Sequence, residues 1–362
     1  MRIIAVIGTR PEAIKMLPLV AEARKHKELE MLVCNSGQHG RILDEVFEFF
    51  NIKPDFTFNA MKNGQSLNEL TNRLLNYFDV LFDSEKVDIV LVHGDTTTAF
   101  CAALSAFYKG IRVGHIEAGL RTHNNRSPFP EEFNRVAIDA VSDLLFAPTS
   151  LAREELEKEG RLSVFTVGNT VIDALKYTVN ESYASPLLSF AKDKKILLVT
   201  THRRENLGDR MESSLLAVRD ILDSRDDFVA ILPMHPNPTV HDTVERVFKN
   251  VKKIKMCEPL SLYDFHNILA RSFAVFTDSG GVQEEAAYLG IPVFLLRDTT
   301  ERREGEQSGN IMLVGNRRGS IVKAFENVMG DSNALEKMQR RSLVFGDGSA
   351  SKKIVKNLLS LT

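Results

Sequence analysis

Apolar and polar positions along this chain follow two alternating rhythms. Short runs of β-branched and aliphatic residues recur, each followed by a longer stretch in which apolar residues return every three or four positions. In the first half the runs fall at residues 2–7, 31–35, 87–93, 112–116 and 144–147. In the second half they fall at 195–200, 228–232, 254–257, 273–277, 293–296 and 311–314. Among the intervening stretches, residues 66–82 place Leu67, Leu70, Leu74, Phe78 and Leu81 at helical spacing, with Ser66 and Glu69 as a capping box. Continuous apolar strands alternating with helices predict parallel sheets covered on both faces, an α/β fold. No unit of about 20–50 residues repeats, which excludes a solenoid.

An apolar stretch at 164–167 is followed by Gly168-Asn169-Thr170, which opens a helix toward Lys176, and residues 180–194 read as a polar surface connection. The pattern predicts two doubly wound domains facing a cleft, residues 1–167 and 168–350. Such sheets bind ligands beyond the carboxyl ends of their strands.

Composition narrows the function. A chain of 362 residues has room for two cores. Lys plus Arg number 46 against 48 Asp plus Glu, a net charge of -2, which argues against a dedicated nucleic-acid binder. Cys34, Cys101 and Cys257 are odd in number and far apart, so neither a disulfide framework nor a structural zinc site is expected, and a reducing cytoplasm fits. The apolar stretch 3–7 is interrupted by Gly8-Thr9-Arg10-Pro11-Glu12 and falls short of the roughly seven residues that a signal-peptide core needs. Other apolar runs fall below the ~18–20 residues that span a bilayer, so a soluble cytoplasmic protein with no membrane partner is expected.

Chemistry-bearing motifs sit at the strand ends. Gly8-Thr9-Arg10-Pro11-Glu12, ahead of Lys15, suits a phosphate or diphosphate, although a tight turn with Pro at the helix start explains it equally. It is neither Gly-x-Gly-x-x-Gly nor a P-loop, which argues against NAD, FAD and ATP in their usual cradles; no cofactor and no metal are expected. Asp95 in His93-Gly94-Asp95-Thr96 reads, taken alone, as a helix cap. Glu117 in His115-Ile116-Glu117-Ala118-Gly119-Leu120-Arg121 ends an apolar strand, with a salt bridge to Arg121 as its structural alternative. Pro130-Glu131-Glu132 starts a helix with two acids. Three acid-bearing ends between residues 95 and 132 point to chemistry.

In the second half, Thr201-His202-Arg203-Arg204 closes a strand with an anion and proton-transfer set, whereas His235 reads as part of a turn. Asp278-Ser279-Gly280-Gly281-Val282-Gln283-Glu284-Glu285 gives amides at a helix start for a diphosphate, with a Glu one turn later for ribose hydroxyls. It is the strongest single nucleotide signal in the chain.

Taken as a set, GTRPEAIK, HGDTTT, HIEAGLRT, PEEFNR, THRREN, TDSGGVQEEA and LRDTTER resemble the non-hydrolysing UDP-N-acetylglucosamine 2-epimerases, in the family's order, over residues 8 to 302. The resemblance implies two Rossmann-like domains in the GT-B arrangement, a UDP-sugar in the cleft, and a homodimer. It also implies a C-terminal helix, about 351–362, that joins the first domain. Carried over residue by residue, Arg10, His202, Ser279, Gly280, Gly281 and Glu285 contact the uridine diphosphate, with Phe265 near the uracil. Asp95, Glu117 and Glu131 match the catalytic acids, Lys15 a helper near the diphosphate, and His202 the histidine at the reacting centre.

The implied reaction interconverts UDP-N-acetylglucosamine and UDP-N-acetylmannosamine for envelope or capsular polysaccharide synthesis. The C2 proton of an N-acetylhexosamine is not acidic, so the available route is elimination. C1–O to UDP breaks, C2–H is lost, and a glycal forms that is protonated on its other face before UDP re-adds. Carboxylates stabilise the charge at C1 and exchange the proton, while cations and helix-start amides hold the diphosphate.

The sequence departs from the family at Arg303 and Gln307, where Pro and an acid are usual, and at Pro236. Gln38-His39-Gly40 and Gly64-Gln65-Ser66 partly match the region where many bacterial members bind a second UDP-N-acetylglucosamine as activator; Gly40 and Asn63 differ. The alternatives are a hydrolysing 2-epimerase that releases UDP and N-acetylmannosamine, a GT-B glycosyltransferase, and a silent UDP-sugar sensor.

Overall fold

The computed structural model describes residues 1–362 apart from 39, 63, 202–205, 236 and 301 and the side chains of Arg41, Ile42, Arg303 and Gln307. It divides into two compact units, Met1–Ala174 with Phe345–Thr362, and Leu175–Val344.

The first unit holds a seven-stranded sheet: β1 (Arg2–Ile7), β2 (Glu30–Asn35), β3 (Phe56–Thr57), β4 (Ile89–His93), β5 (Arg112–Ile116), β6 (Leu144–Ala147) and β7 (Val164–Thr166). Their order is β3-β2-β1-β4-β5-β6-β7, and every pair is parallel. The order reverses between β1 and β4, the kind of position at which parallel α/β sheets bind ligands. Strands β1, β4 and β6 are almost wholly buried, as their continuous apolar runs predict. The helix Leu67–Ser84 begins at the predicted box, with the Ser66 hydroxyl accepting from Glu69 N at 3.2 Å and the Glu69 carboxylate accepting from Ser66 N at 2.7 Å. Its buried Leu70, Leu74, Phe78 and Leu81 lie on one face against the sheet core.

The last helix, Ala350–Leu359, packs on the helix Arg10–Ala23 and buries Ile354, Val355 and Leu358. Burial of such side chains stabilises by roughly 1.5–3 kcal/mol each. Asp173 anchors its first turn, accepting from Ala350 N at 3.1 Å and Ser351 N at 2.8 Å.

The second unit holds a six-stranded parallel sheet: β8 (Lys195–Thr200), β9 (Phe228–Pro233), β10 (Ile254–Cys257), β11 (Ala274–Thr277), β12 (Val293–Leu295) and β13 (Ile311–Leu313). The order β10-β9-β8-β11-β12-β13 repeats the reversal of the first sheet, here between β8 and β11. Phe228, Phe276, Phe294 and Phe325 fill its core, with Phe276 and Phe294 stacked at 4.9 Å.

Two elements differ from the sequence reading. β3 is a strand of only two residues at one sheet edge, too short and too exposed to leave an apolar run, and the apolar stretch at 164–167 forms the three-residue strand β7 at the other edge. The segment 180–194 is not wholly connection: Pro186–Ala191 is a helix capped by the Ser185 hydroxyl with Pro at its start. Among the described residues no helix is long and apolar enough to cross a membrane.

Candidate active site

In the first unit, the turns after β1, β4 and β5 and the start of the helix Glu131–Val141 carry the acids. Glu117 follows β5 at φ 68°, a left-handed backbone that is rare for a residue with a side chain and is found at functional turns. Its Oε2 accepts from Lys15 Nζ and, at 2.7 Å, from Asn169 Nδ2, and lies 3.7 Å from His93 Nε2. Arg121 is not its partner. That guanidinium pairs with Asp139 at 2.8 Å and with Glu159 at 2.7 and 2.8 Å, because Gly119 turns the chain away between the two positions.

Asp95 does not cap the helix that follows it; the Thr96 hydroxyl does, accepting from Ala99 N at 3.0 Å. The Asp95 carboxylate pairs instead with Arg135 at 2.5 Å, and its backbone carbonyl accepts from Asn134 Nδ2 at 2.9 Å. Of the two acids opening Glu131–Val141, Glu132 is buried and accepts from Thr122 N and His123 N at 2.7 and 2.9 Å. Glu131 is half-buried and, among the described residues, its carboxylate takes no side-chain partner. The three acids are therefore unlike: Asp95 and Glu117 are ion-paired, and Glu131 has no side-chain partner among the described residues.

Arg10 is half-buried as the first residue of Arg10–Ala23. The Gly8 and Thr9 amides ahead of it both donate to Glu12, at 3.0 and 2.6 Å, so that part of the turn is closed by a side chain. Glu12 also accepts from the Thr96 hydroxyl at 2.7 Å, tying the turn after β1 to the turn after β4. Burial pushes its carboxyl up to about 7 against the lowering effect of these donors. Burial also holds His93 down at about 3, Glu117 opposing and Lys15 and His115 reinforcing the shift, so its imidazole is neutral near pH 7. Gln38, beside the expected activator region, accepts from the Thr98 hydroxyl at 2.7 Å; His39 and Asn63 lie outside the described residues.

In the second unit, the helix Gly280–Leu289 begins directly after β11. Ser279 is its N-cap residue but makes no side-chain cap bond; its amide donates to Thr277 Oγ1 at 3.0 Å. The amides of Gly280, Gly281 and Val282 thus open a helix whose dipole favours an anion. A Cβ on Gly280 would lie 2.6 Å from Arg302 Nη1, so glycine lets the guanidinium approach the helix start, where Glu284 pairs with it at 2.7 Å. Asp278 is buried, accepting from Thr201 Oγ1 at 3.1 Å and Asn206 Nδ2 at 3.0 Å.

One turn along, Glu285 is buried; its Oε1 lies 3.5 Å from His266 Nε2 and its Oε2 has no hydrogen-bond partner among the described residues. A buried carboxylate oxygen with no donor suits a ligand hydroxyl. Phe265 is half-buried beside His266, their rings 6.2 Å apart. His235 accepts from Asn237 N at 3.2 Å within its turn. His202 lies outside the described residues. Among the described residues no group of three or more His, Cys, Asp or Glu side chains could hold a metal ion.

Sequence reasoning missed Glu12, His93 and Asn169. The Thr9-x-x-Glu12 spacing of a capping box was the available signal for the first; the others become neighbours of Glu117 only through the sheet order.

The family model for UDP-N-acetylglucosamine 2-epimerase matches residues 21–359. A UDP-N-acetylglucosamine 2-epimerase of Bacillus subtilis is 47% identical over 361 residues, 99% of this chain and 95% of that protein. The S. aureus MnaA–UDP co-structure superposes with a TM-score of 0.94 at 42% identity, covering 100% of this chain and 97% of that one. The UDP-GlcNAc 2-epimerase from Neisseria meningitidis bound to UDP-GlcNAc gives 0.94 at 39% identity, covering 99% and 100%. Matched by the family model over this span, and nearly half identical to a relative along its length, the chain belongs to the UDP-N-acetylglucosamine 2-epimerase family.

Proposed function

We propose that this chain interconverts UDP-N-acetylglucosamine and UDP-N-acetylmannosamine by elimination and re-addition of UDP, without net hydrolysis. The observation that carries the reading is the set of three acids on three separate elements of the first unit, two ion-paired and one without a side-chain partner among the described residues. The helix start at Ser279, Gly280 and Gly281 with Arg302 behind it is assigned the diphosphate, Glu285 the ribose hydroxyls and Phe265 the uracil. Arg10 and Lys15 add positive charge, and His202 is assigned the reacting end of the diphosphate.

Asp95 and Glu117, ion-paired with Arg135 and Lys15, stabilise the positive charge that builds at C1 as C1–O breaks. Glu131 is assigned one proton exchange at C2, and the opposite face falls to Asp95 or Glu117. The electron pair of C2–H forms the C1=C2 bond, and UDP leaves with the pair of C1–O. The reverse sequence on the other face inverts C2. A transferase has no need of acids on two faces, which favours the epimerase over that alternative.

The exposed Val80, Phe107 and Tyr108, at 67, 53 and 74% accessibility, lie at the ends of two packed helices, Leu67–Ser84 and Thr97–Tyr108. We assign this apolar face to a second copy of the chain. The three cysteines are free, in keeping with a reducing cytoplasm.

Proton and phosphorus NMR of the protein with UDP-N-acetylglucosamine in D2O tests the function. UDP-N-acetylmannosamine carrying deuterium at C2, with the diphosphate ester intact, is expected. Free UDP in step with N-acetylmannosamine would establish the hydrolysing alternative, and an unchanged spectrum would overturn the epimerase reading.

A further inference from the structure

Beneath the three acids lies a buried node that the proposed chemistry does not use. Asp139 and His115 are completely buried, their side chains 2.6 Å apart through Nδ1. The other ring nitrogen, Nε2, meets the Gly94 carbonyl at 2.7 Å; a carbonyl only accepts, so the ring donates. The second Asp139 oxygen accepts from Gly119 N at 3.1 Å and from Arg121 at 2.8 Å, and Arg121 continues to Glu159.

Each handle of this node ends on an element that carries one acid. The Gly94 carbonyl immediately precedes Asp95. Gly119 lies two residues after Glu117. Asp139 itself stands on the helix that Glu131 begins. Both turns hold left-handed backbone, at φ 64° for Gly94, 68° for Glu117 and 86° for Gly119, which persists only where the surroundings fix it. The helix has a second tie to the first turn through Arg135 and Asn134, both bonded to Asp95.

A buried ionic network is a costly way to stabilise a core, since apolar side chains of equal volume do as well. What apolar packing cannot supply is a fixed registration of two strained turns and a helix. We propose that Asp139 and His115 are positioning residues that hold Asp95, Glu117 and Glu131 in register, so that the glycal is protonated before it escapes. His115 and Arg121 outweigh burial and keep the Asp139 carboxyl below its ordinary range, as a group that must accept three donors requires.

The inference rests on the proposed function, and its test separates the two. The partition of turnovers between UDP-N-acetylmannosamine and free UDP plus glycal is measured by phosphorus and proton NMR. This ratio does not depend on how much of a variant is folded. The variants are Asp139→Asn, His115→Gln, and Glu159→Gln as a control at the far end of the network. For the first two, kcat is expected to fall about a hundredfold with KM little changed, because a displacement of ~1 Å costs that much. Free glycal should rise as a share of turnover. Glu159→Gln should lower the melting temperature while leaving the partition as in the parent.

An unchanged partition in Asp139→Asn and His115→Gln overturns the inference, as does a loss of activity that follows melting temperature in all three variants. Failure of both variants to fold, with Glu159→Gln intact, assigns the node to stability alone and also overturns it. If the parent chain makes no UDP-N-acetylmannosamine, it is the proposed function that fails.

Discussion

Asp95, Glu117 and Glu131 are all carboxylates at strand or helix ends, yet the fold gives them different surroundings. The sequence shows where they lie but not whom they meet, since Lys15 stands 102 positions from Glu117 and Arg135 40 positions from Asp95. Asp95→Asn should reduce kcat by about a hundredfold or more while UDP affinity, measured by calorimetry, stays within a factor of about three. A parallel loss of UDP affinity would place Asp95 in nucleotide binding instead.

Burial also creates titrations that no motif announces. The folded chain keeps His93 neutral down to about 3, whereas its ordinary value is 6.5, so the unfolded chain binds the extra proton between those values. Stability from this group is complete above 6.5 and is lost as pH falls toward 3. Glu12 acts with the opposite sign: raised from 4.5 to about 7, it favours the folded chain while protonated and penalises it as pH rises through 7. Denaturant titrations of Glu12→Gln against the parent should therefore show a more favourable change at pH 8 than at pH 4.5, by up to about 3 kcal/mol. Equal changes at the two values would contradict a buried, shifted Glu12.

At the scale of elements, apolar runs and capping boxes made most strands and the helix Leu67–Ser84 legible. The edge strand β3 was not, because a two-residue strand half open to solvent needs no hydrophobic pattern. Turn geometry was hidden as well. Gly119 sits at φ 86°, and a Cβ there would lie 2.2 Å from the Ala152 carbonyl oxygen, so both conformation and space demand glycine. Gly119→Ala is expected to cost roughly 2–4 kcal/mol in denaturant unfolding. At the helix Gly280–Leu289, Gly280→Ala would push Arg302 from the helix start. UDP affinity by calorimetry should fall about tenfold, with stability affected less than by Gly119→Ala; unchanged affinity would remove the helix start from diphosphate binding.

For the whole molecule, the alternation of runs and helices already announced two parallel α/β halves, and the motifs already lay at their strand ends. The sheet orders add why those ends matter: the strand order of each sheet reverses once, between β1 and β4 and between β8 and β11, and Asp95 follows β4, Glu117 the adjoining β5, and the helix Gly280–Leu289 follows β11. The sequence could not say which neighbours close each turn, because those contacts join segments distant along the chain. The apolar face at Val80, Phe107 and Tyr108 belongs to this scale too. Sedimentation velocity should show a dimer that Phe107→Glu with Tyr108→Glu converts to monomer, and a parent that sediments as a monomer would leave that face without its assigned partner.

The central claim is that the bond between C1 and UDP breaks and re-forms on every productive turnover. It is tested most directly with UDP-N-acetylglucosamine carrying oxygen-18 in the bridge between C1 and the β-phosphorus. Phosphorus NMR then reports where the label resides in the recovered nucleotide sugars. Elimination and re-addition predict that the label spreads into the non-bridging oxygens of the β-phosphate in both epimers, without free UDP accumulating. Label that stays in the bridge while C2 inverts would mean that C1–O never breaks, and the account would be wrong.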